Sequence, residues 1–137
     1  MRIYGEEHGE TLHEACNYTV SLLALNHFEE AKSLMRKTVP VARRVLGDSN
    51  ETTLRMRWNY ASVLIKASGG SLDDLREAVT TLEETTPTAR RVLGGAHPIT
   101  GAIEECLRGA RATLHARETG NMSAICEAFD AMTQRDA

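Results

Sequence analysis

An eight-residue segment that occurs twice constrains the fold of this chain more than any other feature. Pro40-Val-Ala-Arg-Arg-Val-Leu-Gly47 returns as Pro87-Thr-Ala-Arg-Arg-Val-Leu-Gly94, with seven of eight positions identical at a spacing of 47 residues. Arg2-Ile-Tyr-Gly5 is a weaker copy, which matches Arg44-Val-Leu-Gly47 at a spacing of 42 residues. A period of about 20–50 residues is typical of arrays in which each unit packs only against its neighbours. The chain is therefore predicted to be one repeat domain over residues 1–137.

Further matches in the same register divide the domain into units of about residues 5–46, 47–93 and 94–137. Asn17-Tyr-Thr-Val-Ser-Leu22 aligns with Asn59-Tyr-Ala-Ser-Val-Leu64, and Phe28-Glu-Glu-Ala31 aligns with Leu75-Arg-Glu-Ala78. Five extra residues around Ser68-Gly-Gly-Ser71 account for the longer second unit. The third unit lacks the ARRVLG ending, which predicts a divergent, cap-like terminal unit.

Each unit is predicted to contain two helices. Apolar or small residues recur at helical spacing in the first helix of a unit, as in Leu54, Trp58, Ala61 and Leu64. Second helices are expected at about residues 28–46 and 71–93. The N-cap candidates are His8, Asn50, Ser71 and His97, and the glycines expected just after a helix are Gly5, Gly47 and Gly94.

Three positions predict interruptions. Pro40 and Pro87 each remove an N–H group, which predicts a kinked or restarted second helix. Gly120-Asn121 predicts a break in the third unit. A short final helix at about residues 122–133 would then carry Ile125, Phe129 and Met132 on one face.

Composition and motif content exclude several functions. A net charge of −3 argues against a generic nucleic-acid binder, which needs a basic face. No apolar run approaches the ~20 residues of a membrane span, and no signal peptide is recognisable. Three widely spaced cysteines favour a reducing compartment, so a cytoplasmic protein is expected. The sequence contains no HExxH or phosphate-binding glycine motif, and the histidines lack ligand spacing, so we expect no enzyme, cofactor or metal.

The strings "LG..HP.T", "N(L/Y)A..L", "F.EA" and "ARRVLG" resemble the tetratricopeptide repeat of kinesin light chains, whose 42-residue period is the first spacing here. The resemblance covers nearly the whole chain. It implies an all-α fold, a right-handed α-solenoid of antiparallel helix pairs in which the first helices line a concave groove. It also implies a non-catalytic protein–protein interaction scaffold that holds a peptide or a partner's helix. No motor-binding heptad segment is present, so light-chain function itself is not implied.

The alignment carries the groove positions onto the first helix of each unit. The positions are His13, Cys16, Asn17, Val20 and Leu23, then Arg55, Trp58, Asn59, Ser62 and Lys66, then Ala102, Glu105, Cys106, Gly109 and Thr113. The residues predicted to contact the peptide are His13, Asn17, Val20, Arg55, Trp58, Asn59, Ser62, Lys66 and Glu105.

The residue types leave two interpretations open at the central positions. Asn17 and Asn59 occupy the same repeat position, where an asparagine either pairs with a peptide backbone or bonds the neighbouring helix. Arg55, Trp58 and Lys66 on one face suit an acidic or aromatic-containing peptide. Trp58 could equally be core between units. The helix-end arginines 43, 44, 90 and 91 are expected to be solvated.

A second functional hypothesis is a structural or self-associating assembly unit, or a fragment of a larger repeat array. The segment Arg2-Ile-Tyr-Gly5 resembles the end of a second helix whose remainder is missing. We therefore expect the outer face of the first unit, including Leu12 and Val20, to be exposed and to favour self-association or a partner's helix.

Overall fold

The described part of the computed structural model consists of α-helices joined by short turns, without a strand. It describes the backbone of residues 4–67 and 71–135 and the side chains of residues 11–67 and 71–120. The helices are α1 (Tyr4–Ala24), α2 (Phe28–Val45), α3 (Glu51–Ala67), α4 (Leu72–Leu93) and α5 (Pro98–Arg135). The all-α helical solenoid predicted from the repeat is confirmed.

The helices form two layers. Each helix packs against the next one along the chain, and α1 also packs against α3, as α3 does against α5. Among the described residues, the backbones of α2 and α4 do not come into comparable contact. The first helices therefore lie side by side as one layer, and the second helices cover the other side of that layer.

Local sequence signals set the helix ends as predicted. At α3 the Thr52 N–H donates to Asn50 Oδ1 at 2.8 Å, and at α5 the Ile99 N–H donates to His97 Nδ1 at 3.1 Å. Gly47 and Gly94 have φ values of 87° and 91°, a left-handed backbone that glycine adopts without a Cβ clash. These glycines end the two ARRVL segments and let the chain turn into the next first helix.

The two unit junctions are packed alike. The Thr53 hydroxyl donates to the Ala42 carbonyl at 3.3 Å, and the Thr100 hydroxyl donates to the Ala89 carbonyl at the same distance. Both pairs are buried, and the second lies 47 residues after the first. The core around them consists of small and aliphatic side chains, chiefly Met35, Leu54, Met56, Leu64, Leu75, Leu82 and Ile103. The sequence repeat is therefore also a repeat of contacts.

Two predicted helix boundaries are wrong. α1 begins at Tyr4 and continues through Gly5 and His8, and α5 continues through Gly120-Asn121 to Arg135. A glycine inside a helix costs only about 1 kcal/mol, which the helix formers on both sides offset. The third unit is thus one long helix rather than a helix pair. The side chains of Ile125, Phe129 and Met132 lie outside the described ones.

The predicted restart at the prolines is also wrong, because α2 runs unbroken through Pro40 and α4 through Pro87. In each helix a threonine beside the proline bonds back to the preceding turn. The Thr38 hydroxyl donates to the Leu34 carbonyl at 2.9 Å, and the Thr86 hydroxyl to the Leu82 carbonyl at 2.7 Å. Most of the insertion around Ser68-Gly-Gly-Ser71 lies outside the described residues.

Candidate functional site

The candidate site is the face of the first-helix layer that the second helices leave uncovered, here called the inner face. Its residues recur three to four positions apart, which places them on one side of each helix. On α1 they are His13, Asn17 and Val20, on α3 Arg55, Trp58, Ser62 and Lys66, and on α5 Ala102, Glu105, Gly109 and Thr113. Each of these side chains is exposed or half-buried. This surface contains all of the predicted groove positions except Cys16, Leu23, Asn59 and Cys106.

Asn59 lies between α1 and α3 instead. Its side chain is 8% exposed, and Nδ2 donates to the Cys16 sulfur at 2.9 Å. This contact agrees with the second interpretation of the repeated asparagine, in which the side chain bonds the neighbouring helix. Asn17 is exposed because no helix precedes α1 in the described structure. The presence of a preceding first helix, rather than the residue type, thus decides where each asparagine side chain is held.

The residue of α5 at the repeat position of Asn59 contacts α3 in the same way. Cys106 aligns with Asn59, and its sulfur lies 4.0 Å from the Ser62 hydroxyl. Burial raises the pKa of the Cys106 thiol, which hydrogen bonds with Ser62 and Trp58 and the nearby charge of Lys66 partly oppose. Trp58 packs against the core while part of its ring stays accessible, so both interpretations of this residue hold in part.

Burial likewise raises the pKa of the Cys16 thiol, against the opposing charge of Arg55 and the Asn59 hydrogen bond. Arg55 is therefore near α1, and Lys66 is near α5. Both cysteines are free thiols on the layer of first helices, as expected from their spacing. The side chain of Cys126 lies outside the described ones.

The charges of the inner face are available to a ligand. Arg55 Nη2 lies 3.3 Å from Glu51 one turn earlier, and both side chains are about half exposed, so this surface pair is weak. Lys66 is exposed and has no ion pair among the described side chains. Glu105 on α5 is an exposed acidic side chain of the same face. The arrangement is two cations on α3 with the accessible edge of Trp58 between them.

Three of the helix-end arginines are bonded rather than simply solvated. Arg43 Nε donates to Asp48 at 2.7 Å, Arg90 Nη1 donates to Glu104 at 2.6 Å, and Arg91 Nη2 donates to Ser49 at 3.4 Å. The first two contacts join the end of a second helix to the loop or helix that follows, and the third joins the end of α4 to the loop between α2 and α3.

Sequence reasoning missed a polar cluster on the opposite side of the molecule. Lys32 Nζ lies 2.8 Å from Asp74, and both side chains are largely buried. Arg36 Nε donates to the Tyr60 hydroxyl at 3.2 Å, and that hydroxyl in turn donates to Glu77. Arg57 is buried within α3 and bonds Glu84 at 2.9 Å. The sequence feature that could have revealed this cluster is Arg57, a cation at a core-facing position of α3.

The leucine expected at the surface of the first unit is not there. Leu12 is buried in the core, whereas Val20 is exposed on the inner face. Tyr18 of α1 and Leu25 in the turn after it are exposed large apolar side chains away from the inner face.

Two negative findings concern the described residues. No group of three or more His, Cys, Asp or Glu side chains among them could hold a metal ion. The helices within the described ranges are also too short or too polar to cross a membrane.

A family model described as a tetratricopeptide repeat matches residues 19–51, from the second half of α1 through α2 to the first residue of α3. Neither a curated protein nor a solved structure matches the chain significantly. The matched segment contains the turn between the paired helices α1 and α2, and α3 and α4 form a second pair of the same kind. The chain is a helical repeat protein with a tetratricopeptide-like repeat at residues 19–51.

Proposed function

We propose that this protein is a non-catalytic scaffold that binds an acidic peptide of a partner protein along its inner face. Tetratricopeptide repeats are in general protein–protein interaction domains. The observation that carries the finer proposal is the pair of accessible cations on α3, the half-exposed Arg55 and the exposed Lys66, with Trp58 between them. Carboxylates can form charge-assisted hydrogen bonds with these cations, and an aromatic or apolar residue can stack on the indole.

The spacing of the two cations sets the preferred ligand. Arg55 and Lys66 are separated by three helical turns, about 16 Å along the axis. An extended peptide covers about 3.3 Å per residue, so a peptide lying along α3 would span the cations in about five residues. The proposal therefore favours two acidic residues five positions apart with an aromatic residue between them. A single short module of this kind binds in about the micromolar range.

The single tryptophan of the chain provides the measurement. Fluorescence of Trp58 is recorded while a ten-residue peptide with two glutamates five positions apart and a central phenylalanine is added. The same peptide with lysine in place of both glutamates is the ligand control. We expect a saturable change with the acidic peptide, weakened about tenfold by Lys66→Glu or Arg55→Glu because an attraction becomes a repulsion.

Arg44→Glu is the matched protein control, since Arg44 is an exposed arginine at the end of α2 without an ion pair among the described side chains. It changes the net charge equally but lies away from the inner face. Equal binding of the acidic peptide by all three glutamate variants, or equal binding of the acidic and basic peptides, would refute the proposal.

A further inference from the structure

The outer side of α1 exposes a tyrosine whose repeat counterpart is buried. Tyr18 and Tyr60 stand 42 residues apart at the same repeat position, yet Tyr18 is 57% exposed and Tyr60 only 8%. Leu25, in the turn that directly follows α1, is 66% exposed, and its N–H still bonds the Ser21 carbonyl of the last turn of the helix. We call the surface formed by Tyr18, Leu25 and the adjoining Glu14 the α1 end face.

The counterpart on α3 shows how such a surface is covered. Tyr60 lies under α2, where Arg36 Nε donates to its hydroxyl at 3.2 Å. The hydroxyl donates to Glu77 of α4, and Arg36 Nη2 is 3.4 Å from the same carboxylate. The tyrosine hydroxyl is thus held between an arginine of the preceding second helix and a glutamate of the following one.

Of the two partners of the tyrosine hydroxyl, the glutamate has a counterpart near the α1 end face. Glu30 of α2 occupies the repeat position of Glu77, and α2 packs against α1 as α4 packs against α3. Glu30 is exposed, and its carboxylate lies 3.6 Å from His27 Nδ1. The described residues contain no counterpart of Arg36 in front of α1.

From this comparison we propose that the α1 end face docks an amphipathic helix of a partner protein that carries an arginine or lysine opposite Tyr18 and Glu30. Tyr18 and Leu25 offer apolar contact, and Glu14 and Glu30 give the surface a negative charge. A helix with one apolar face and a cation at the position of Arg36 complements both features. This surface lies on a different side of α1 from the inner face and is independent of peptide binding there.

Neither of the described second helices nor the remaining part of α5 meets this requirement, which favours a different partner over a second copy. In α2 the cation at the required position, Arg36, is already bonded to Tyr60. In α4 that repeat position is Glu83, which has the wrong sign of charge and pairs with Arg111 at 3.0 Å. The remaining part of α5, residues 118–135, contains one cation, Arg135, which is the last residue of the helix.

A peptide of residues 27–47 of this chain is a suitable probe, because α2 covers the equivalent position on α3. The fluorescently labelled peptide is titrated with the full chain, and its anisotropy is measured. We expect saturable binding that weakens at least about tenfold when the protein carries Tyr18→Ala or the peptide carries Arg36→Glu. Val92→Ala, which truncates a residue 42% exposed on α4, is expected to bind as the wild type does.

Circular dichroism of Tyr18→Ala establishes that the exposed substitution leaves the fold intact. Absence of peptide binding to the wild type, or binding that neither Tyr18→Ala nor Arg36→Glu weakens, would overturn the proposal. Light scattering of the chain alone supplies a further test. A concentration-dependent dimer that Tyr18→Ala abolishes would mean that a second copy covers this face, and would also overturn it.

Discussion

Replacing each of the two equivalent asparagines by alanine separates the stacking role from the binding role. Asn59 is buried and bonds Cys16, whereas Asn17 is exposed. The lost hydrogen bond contributes about 1 kcal/mol to stability, and the vacated volume in the packed junction adds up to about 1 kcal/mol. Alanine recovers about 0.6 kcal/mol of helix propensity in both variants, so this gain cancels between them. Asn59→Ala should therefore be about 1–2 kcal/mol less stable than Asn17→Ala.

Urea unfolding followed by circular dichroism and by Trp58 fluorescence measures this difference. The corresponding separation in melting temperature is about 3–8 °C for a chain of this size. A double-mutant cycle with Cys16→Ala should show a coupling of at least about 0.5 kcal/mol, because the two side chains share one contact. Equal stability of the two asparagine variants would refute the assignment of Asn59 to the junction. Loss of acidic-peptide binding in a fully folded Asn59→Ala would show that its amide reaches the ligand after all.

Two further predictions concern the backbone and the thiols. Gly94→Ala should lower the free energy of unfolding in urea by about 1 kcal/mol, because φ is 91° at this position. Gly101→Ala inside α5 should raise it by about 0.5–1 kcal/mol, because the new Cβ has open space around it. A stabilised Gly94→Ala would contradict the left-handed turn. In a Cys126→Ser background, Cys16 and Cys106 should react with a thiol reagent more slowly at pH 8 than in the urea-unfolded chain, because burial raises both pKa values and so lowers the thiolate fraction. Their rate–pH profiles should shift to higher pH on folding, and a shift to lower pH would contradict the burial of both thiols.

The repeat made most of the fold predictable. The duplicated segment set the unit length, and local signals such as Asn50, His97 and Gly94 placed helix ends that the structure confirms. The helix ends predicted at Gly5 and Gly120 are wrong, although the chain does leave a helix at Gly47 and at Gly94. A glycine ends a helix when the chain gains contacts by turning there, and that gain depends on packing between units rather than on local sequence.

The candidate site was predictable as a face but not residue by residue. Helical spacing and the repeat register placed Arg55, Trp58 and Lys66 on one side of α3. The alignment could not separate Asn17 from Asn59, because identical positions differ only in whether another first helix packs beside them. The cluster around Lys32 and Asp74 was equally inaccessible, since its partners are 42 residues apart and neither one stands out among the surface charges.

The different contacts of the two layers have a mechanical consequence. The first helices touch along their backbones, but α2 and α4 are connected through side chains, chiefly the Lys32–Asp74 and Arg36–Glu77 ion pairs. Long side chains tolerate a change in spacing that packed backbones resist. We therefore expect the layer of first helices to resist a change in spacing more than the layer of second helices does. A shift of the second helices relative to each other would bend the stack and change the width available on the inner face.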